Sequence, residues 1–293
     1  MTMAASPSWQ VWRDRRGRLS PLRIATLALL LLPAGKALID AGDIAHGARP
    51  LNDLIHRAGF WALMFLGVTL AVTPLRRILR YGNLIDVRRM LGVGTFIYIA
   101  AHPLLYVADL KYDFAKAAYE ITHRVYLIVG GVAWIGLAVL AVTSTDAMVK
   151  RIGGLYWRRL HQAIYLIALL ALVHYFQQTK ADVSVPTFVA GVFTWLMGYR
   201  LLAWWQDNGE LSTLSLLALS VVVALLTFAG EAIGIGLTFH VSPLRVLETV
   251  FDFDAGIRPG WQVLTAGFVV VATDFIRSRT SSRAPRRREA PAE

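Results

Sequence analysis

The sequence contains no cysteine. This absence excludes disulfide bonds, cysteine-ligated iron–sulfur clusters, cysteine zinc sites and covalent attachment of a c-type haem within the chain. Charged residues are also scarce, since they make up 17% of the 293 residues, against about 25% in soluble domains. Any chemistry that this chain carries must therefore come from other residue types, in a setting poor in charge.

Hydrophobic residues make up 56% of the chain, and they occur in blocks of roughly 17–21 residues. At about 1.5 Å per residue, a helix of that length crosses the hydrocarbon core of a bilayer. The sequence therefore predicts an all-α, polytopic transmembrane helix bundle. The first and last spans are the weakest, because Lys36 interrupts one and Asp274 closes the other after about 15 residues. The eight candidate spans are residues 24–39, 59–75, 90–108, 125–145, 160–176, 183–205, 211–236 and 260–273.

The formal net charge is +11, and its placement predicts the orientation of the chain. Basic clusters lie in the N-terminal segment, in the loops after the second and fourth spans, and in the tail, whereas the alternate loops have few. The positive-inside rule then predicts both termini on the cytoplasmic side. Because the charge follows the membrane topology, we expect contact with anionic membrane lipids and no nucleic-acid binding.

The chain has seven histidines, and three of them fall inside candidate spans: His102, His161 and His174. An ionisable residue within the hydrocarbon is costly, so its presence favours a functional role. A single such histidine can also be a packed, hydrogen-bonded residue of the core. Three on two spans are harder to explain in that way, and they indicate a binding site.

Counting residues from the basic loops gives the depth of each histidine. His102 lies 13 residues past Arg89, or roughly 20 Å into the membrane, and His174 lies 15 residues past Arg159, or roughly 22 Å. Two imidazoles at one level can clamp a haem iron axially, and an iron with both axial positions filled transfers electrons without binding oxygen. Zinc and di-iron sites fit less well, because they require carboxylates or a closer cluster.

His161 lies 13 residues before His174, near the predicted cytoplasmic end of the fifth span. At 100° per residue, the two side chains are about 140° apart around a helix. This geometry favours a separate role for His161, as a ligand at a second site or an alternative ligand.

Four stretches carry a resemblance to a known family. Residues 88–107 (RRMLGVGTFIYIAAHPLLYV) and 157–176 (WRRLHQAIYLIALLALVHYF) resemble the third and fifth helices of the ferric-reductase-like transmembrane family. More narrowly, the segment GFWALMFLGVTLAVTPLRR at 59–77, the ITHRVYL…AVTSTDAM run at 121–148 and the WRRLH…HY run at 157–175 resemble the bacterial MsrQ (YedZ) branch, over about residues 22–205.

The resemblance implies a haem-binding subunit in the bacterial inner membrane. Members bind haem b through histidines that match His102, His161 and His174, and they are described with FMN as well. It further implies electrons from the quinone pool or a cytoplasmic flavin reductase. These pass to a periplasmic, molybdopterin-containing MsrP-type partner that reduces methionine sulfoxide and so repairs oxidised envelope proteins. Catalysis is then expected on the partner chain, and no motif assigns the FMN-binding residues.

The sequence departs from the family pattern at two places. Oxidase-type relatives carry two histidines on each haem helix, but Arg88 and Arg89 stand 14 and 13 residues before His102, which leaves His161 without an evident mate. The chain is also longer than a six-span protein. We expect four parts: a cytoplasmic N-terminal segment (1–21), a six-helix haem-binding domain (22–205), two additional spans (206–276) and a disordered basic cytoplasmic tail (277–293).

Two other functions remain open at this stage. One is a ferric reductase or oxidase-type cytochrome b, which would need a separate flavoprotein donor because the tail is too short to form a flavin domain. The other is a transporter or assembly factor with structural histidines, although broken helices and intramembrane charges are sparse here.

Overall fold

The structure, a computed structural model, describes residues 11–14, 16–179, 182–207, 210–254 and 256–282. In this part of the chain the regular structure is helical, apart from one isolated bridge between Arg13 and Leu19. The α-helices of these described ranges are α1 (Pro21–Ile39), α2 (Ala41–His46), α3 (Pro50–Ile78), α4 (Ile85–Asp109), α5 (Phe114–His123), α6 (Val125–Val142), α7 (Asp146–Ile152), α8 (Gly154–Gln162), α9 (Ile164–Gln178), α10 (Ser184–Trp205), α11 (Thr213–Phe239), α12 (Pro243–Glu248) and α13 (Pro259–Ser282).

Eight helical stretches of the described chain are long and apolar enough to cross a membrane, and they coincide in order with the eight predicted spans. The all-α, polytopic fold class is therefore confirmed, and the chain is an integral membrane protein. The fifth span combines α8 and α9, which meet at Ala163. His161 and His174 therefore share the fifth span as expected, with His161 on α8 and His174 on α9; Ala163 between them keeps a right-handed helical backbone conformation.

The second span begins at Pro50, nine residues before the apolar block predicted at residue 59. Hydropathy marks only the part of a helix that is immersed in hydrocarbon, whereas α3 continues through a polar turn that contains Asp53, His56 and Arg57. Proline is favoured at the first position of a helix, so Pro50 suits this start. The extension matters because it brings helical backbone from residues 50–58 to the level of the functional site.

Lys36 lies in the last turn of α1, so it does not interrupt the first span. Its ammonium group lies 3.0 Å from the Asp40 carboxylate, just beyond the helix end, and Arg57 lies 3.3 Å from the same carboxylate. The hydrogen bond from Lys36 holds the pKa of Asp40 below its usual value. The lysine therefore reaches towards the polar boundary of the membrane, as long basic side chains do.

The last helix, α13, runs to Ser282 and therefore includes the first six residues of the predicted tail. The helix does not end at Asp274, whose carboxylate accepts a 2.6 Å hydrogen bond from the Thr213 hydroxyl of α11. The rest of the predicted disordered tail, residues 283–293, lies outside the described residues, as do residues 1–10 of the predicted N-terminal segment.

The chain divides into two compact units, and the first consists of residues 1–72 and 83–182. In this unit α1 packs on α4, α4 and α5 pack on α6, and α6 packs on α9. Gly94 of α4 admits Leu30 of α1, since a β-carbon at residue 94 would lie 2.5 Å from the leucine side chain. The Tyr98 hydroxyl also donates a 2.7 Å hydrogen bond to the Leu30 carbonyl, which fixes these two helices together.

The second unit consists of residues 73–82 and 183–293, and α11 lies at its centre, packed on α10, α12 and α13. Small residues allow the close approach of these helices, as is common inside membranes. A β-carbon at Gly191 would lie 2.5 Å from Val263, and one at Gly267 would lie 2.5 Å from Ser220. This unit holds most of the residues beyond the predicted six-span domain.

Candidate functional site

The structure places His102 and His174 side by side. His102 lies seven residues before the end of α4, His174 lies four residues before the end of α9, and their ring centres are 6.2 Å apart. The two ring planes cross at 87°. Both helices begin next to basic loops and end near the two histidines, so the pair lies towards the membrane face opposite those loops. The pair predicted by depth counting is thus brought together.

A backbone carbonyl orients each of the two imidazoles. The Nδ1 atom of His102 is 2.8 Å from the carbonyl oxygen of Ile55 on α3, and the Nδ1 atom of His174 is 2.8 Å from that of Tyr126 on α6. A carbonyl oxygen can only accept, so each Nδ1 atom carries the proton and donates it. Each Nε2 atom then keeps its lone pair, which is the arrangement found in metal-binding histidines.

The separation of the rings matches that of two imidazoles on opposite sides of one metal ion. A metal–imidazole bond is about 2 Å long, and the ring centre lies about 1 Å behind the nitrogen, so the ring centres should be roughly 6 Å apart. The observed distance is 6.2 Å. The spacing of the two rings therefore fits one shared metal ion.

Two glycines provide the room for these rings. A β-carbon at Gly59 would lie 3.0 Å from Nδ1 of His102, and one at Gly130 would lie 2.8 Å from Nδ1 of His174. Each glycine stands four residues after the residue whose carbonyl binds the ring, that is, Ile55 or Tyr126. Residues four apart lie on one helix face. Both imidazoles are therefore held by the same arrangement. A backbone carbonyl binds the ring, and a glycine one turn later leaves room for it.

Replacing Gly130 by alanine should displace the His174 ring, because the added methyl group would meet it at 2.8 Å. We expect metal or haem occupancy to fall by about 10–100-fold, the usual cost of disturbing the groups that orient a ligand. Absorbance of the bound pigment relative to protein would measure this. The matched control is Gly131→Ala, whose methyl group would meet no atom within 4 Å. Equal losses in the two variants would contradict a role for Gly130 in seating His174.

The site supplies two protein ligands. Among the residues that the structure describes, no group of three or more histidine, cysteine, aspartate or glutamate side chains is placed to hold a metal ion. Structural zinc takes four protein ligands and catalytic zinc three, so the pair does not suit zinc. A haem brings four nitrogen ligands of its own and needs only axial ones from the protein. The donor set, the spacing and the glycine cradles therefore fit a haem.

His161 lies apart from this pair, on α8. Its Nε2 atom is 3.1 Å from the hydroxyl of Thr143, the residue that caps the end of α6. Its ring is stacked on Trp157 with centres 3.9 Å apart, and the Trp157 indole donates a 2.8 Å hydrogen bond to the Thr143 carbonyl. Because the Thr143 hydroxyl is 2.8 Å from the Val139 carbonyl and donates there, the His161 Nε2–H group is the donor to Thr143. Its Nδ1 atom then carries the lone pair.

The other four histidines lie outside the paired site. His46, at the end of α2, and His123, at the end of α5, use Nδ1 on nearby carbonyls of their own helices. His56 belongs to the polar first turns of α3, so it lies inside a helix and not in the loop expected from hydropathy. His240 ends α11 in a left-handed conformation, with φ of 55°.

A membrane-embedded helical bundle that offers two oriented imidazoles from different spans belongs to the class of transmembrane haem-site proteins. In agreement, residues 58–172 match the family described as "Ferric reductase like transmembrane component". The matched stretch includes Gly59, His102, Gly130 and His161 and stops two residues before His174.

The chain belongs to the MsrQ family. It is 42% identical over 161 residues to the "Protein-methionine-sulfoxide reductase heme-binding subunit MsrQ" of Xanthomonas campestris pv. campestris, a match that covers 55% of this chain and 73% of that protein. The MsrQ protein of Ralstonia nicotianae is 37% identical over 194 residues, which cover 65% of this chain and 88% of that protein. No solved structure matches.

Proposed function

We propose that this chain is the haem b electron-transfer subunit of a protein-methionine-sulfoxide reductase system, with His102 and His174 as the axial ligands. The observation that carries the proposal is the pair of crossed imidazoles, 6.2 Å apart, with both Nδ1 atoms held by backbone carbonyls. The relatives' shared name, heme-binding subunit, supports it. With both axial positions filled, the bound haem serves as a one-electron carrier.

The residues around the pair hold the ligands in one geometry. The carbonyls of Ile55 and Tyr126 fix the tautomer and the direction of each Nε2 lone pair, and Gly59 and Gly130 let the rings approach α3 and α6. Four helices contribute to this site, so α3 and α6 would hold the two imidazoles of α4 and α9 in place for a haem. The catalytic reduction of methionine sulfoxide is assigned to a partner chain, and no residue of this chain is assigned to it.

The proposed route runs across the bacterial inner membrane. The basic loops and both termini face the cytoplasm, so the His102–His174 pair lies in the periplasmic half, near a molybdopterin-containing MsrP-type partner. Electrons come from membrane quinones or from a cytoplasmic flavin reductase. FMN belongs to the proposal as a further cofactor, without assigned residues.

His161 supplies a ligand on the cytoplasmic side of this route, at a second haem site or as an alternative ligand. Its place on α8, near the basic loops, supports a role in electron input. Its Nδ1 lone pair is the one available to a metal, since Nε2 donates to Thr143. A second haem site at His161 would need another ligand, which His102 and His174 do not provide.

The experiment follows haem reduction in the purified full-length chain under anaerobic conditions. We expect quinol to reduce the haem of the unaltered protein, and His161→Ala to slow quinol reduction about tenfold or more, while dithionite still reduces the His102–His174 haem completely. Stopped-flow absorbance would measure both reactions. His46→Ala is the control, because this exposed imidazole ends α2 and bonds the Gly42 carbonyl of its own helix.

The second candidate function is that of a ferric reductase or oxidase-type cytochrome b, because residues 58–172 match the ferric-reductase-like family. The two functions differ in the molecule that accepts electrons from the reduced protein. The reduced protein should pass electrons to a periplasmic methionine-sulfoxide reductase and consume a methionine-sulfoxide peptide. Reoxidation by ferric chelates or dioxygen, with none by that reductase, would instead support the second candidate.

A further inference from the structure

A polar network extends from the histidine pair towards the membrane face at which α5 lies. The Tyr106 hydroxyl donates a 2.7 Å hydrogen bond to the Glu120 carboxylate, whose other oxygen lies 3.5 Å from the Arg124 guanidinium. Arg124 in turn donates a 3.0 Å hydrogen bond to the Tyr126 hydroxyl. The network therefore joins α4, α5 and the first turn of α6 by side-chain contacts.

Both ends of this network are attached to the histidines. Tyr106 lies four residues after His102 on α4, so the two side chains share one helix face. Tyr126 provides the carbonyl that orients His174, and its ring lies 6.4 Å from that imidazole at an angle of 30°. The network is therefore next to His102 along α4 and next to His174 through Tyr126.

The chemistry of haem b indicates what such a network could bind. The macrocycle carries two propionate carboxylates, and an unpaired carboxylate in hydrocarbon is very costly. The propionates of a haem held at the His102–His174 level reach polar surroundings soonest at this nearer membrane face. Groups placed there to receive them should include a cation and neutral hydroxyl donors.

Arg124 has the properties that this role requires. Its guanidinium has five N–H donors, and its contacts use one to Tyr126 and one, at 3.5 Å, to Glu120. Its side chain is 51% exposed, so the remaining donors are accessible. The hydrogen bond to Tyr126 raises the pKa of Arg124, so it stays charged. Guanidinium groups bind carboxylates through two parallel hydrogen bonds, which fixes orientation as well as charge.

We propose that Arg124, together with the hydroxyl of Tyr126, binds a propionate of the haem, and that Glu120 positions the guanidinium. This inference rests on the proposed haem function and deepens it. Glu120 shares its charge between Tyr106 and Arg124, so its carboxylate orients the arginine without occupying all of its donors. Arg124 and Tyr126 would thereby give the haem an orienting contact in addition to the two imidazoles.

The test compares haem b with its dimethyl ester, in which both propionates are uncharged. The full-length chain, produced in haem-deficient cells, is titrated with each pigment, and binding is followed by Soret absorbance. We expect the unaltered protein to prefer haem b by about tenfold or more. Arg124→Met should remove most of that preference by weakening haem b alone, and Tyr126→Phe should reduce it in part while keeping the carbonyl that holds His174.

Lys116→Met is the matched control, because this exposed lysine lies on the neighbouring α5 and its side chain has no part in the network; it should leave the preference unchanged. An equal loss of affinity for both pigments in Arg124→Met would overturn the inference and show a purely structural arginine. So would equal binding of the two pigments by the unaltered protein. Failure of the unaltered protein to bind either pigment would instead overturn the proposed haem function.

Discussion

Replacing His174 by alanine is expected to lower the haem content of the purified protein by about a hundredfold or more. Disturbing only the groups around a metal ligand costs about 10–100-fold in affinity, so loss of the ligand itself should cost at least as much. The alanine would also leave the Tyr126 carbonyl without its imidazole partner. His102→Ala should behave in the same way, because the proposed haem is held by both rings, whose centres lie 6.2 Å apart. A pyridine haemochrome assay measures the haem that remains.

His123→Ala is the control for these two variants. Its imidazole also bonds a backbone carbonyl, that of Tyr119, and stacks on the Tyr119 ring at 4.0 Å, but it is exposed and belongs to α5. It should keep its full haem content. Full haem content in either His102→Ala or His174→Ala, or an equal loss in all three variants, would contradict the assignment of the axial pair.

Replacing Glu231 by alanine should destabilise the second unit by about 3–5 kcal/mol, the usual cost of breaking a buried ion pair by removing one partner. Glu231 lies on α11 with its side chain 4% exposed, 3.2 Å from the Arg258 guanidinium, which is 25% exposed. Arg258 also donates a 2.7 Å hydrogen bond to Thr249. The pair thus ties the segment before α13 to the middle of the unit, and the mutation would leave its arginine with an uncompensated charge.

The double variant Glu231→Leu/Arg258→Met distinguishes the contribution of the ion pair to stability from that of side-chain packing. Replacing both partners by apolar groups of similar size often restores stability, so we expect most of the loss to be recovered. Equilibrium unfolding in mixed detergent micelles, followed by tryptophan fluorescence, would measure both variants, because Trp261, in the first turn of α13, bonds the Val250 carbonyl of the preceding segment. A double variant as unstable as Glu231→Ala, or a single variant of unchanged stability, would contradict this explanation.

The sequence alone predicts the spans and the common level of His102 and His174 for physical reasons. The bilayer fixes the length of a spanning helix, so hydropathy locates all eight spans. Depth is also a linear measure along a helix, and for that reason residue counting alone places His102 and His174 at one level.

Features that depend on which helices are neighbours cannot be predicted in this way. A glycine such as Gly130 within an apolar span is typical of close helix packing, and the structure instead places it against the His174 ring. The carbonyls of Ile55 and Tyr126 carry no sequence signal, because every residue has one. The sequence does contain one indication of the ring-binding positions, because Gly59 and Gly130 occupy comparable depths on two other spans.

The surroundings of His161 also depend on which helices are neighbours, so the sequence does not predict them. The count of 13 residues to His174 assumes one regular helix, whereas the helical hydrogen-bond pattern is irregular at Ala163, between α8 and α9. Its contacts with Thr143 and Trp157 arise because the end of α6 meets α8, a proximity that the spacing of histidines does not reveal. Likewise, Glu231 can be recognised from the sequence as a costly membrane residue, but its partner Arg258 lies 27 residues away in a loop.

Electron paramagnetic resonance of the oxidised, purified protein tests the central claim most directly. Two neutral imidazoles with crossed planes give a ferric haem a strongly anisotropic low-spin signal, whereas parallel planes give a rhombic one. The 87° angle between the rings of His102 and His174 therefore predicts the strongly anisotropic signal, lost in His102→Ala and in His174→Ala. A haem that is high-spin in the unaltered protein, or a low-spin signal unchanged in both variants, would contradict the account.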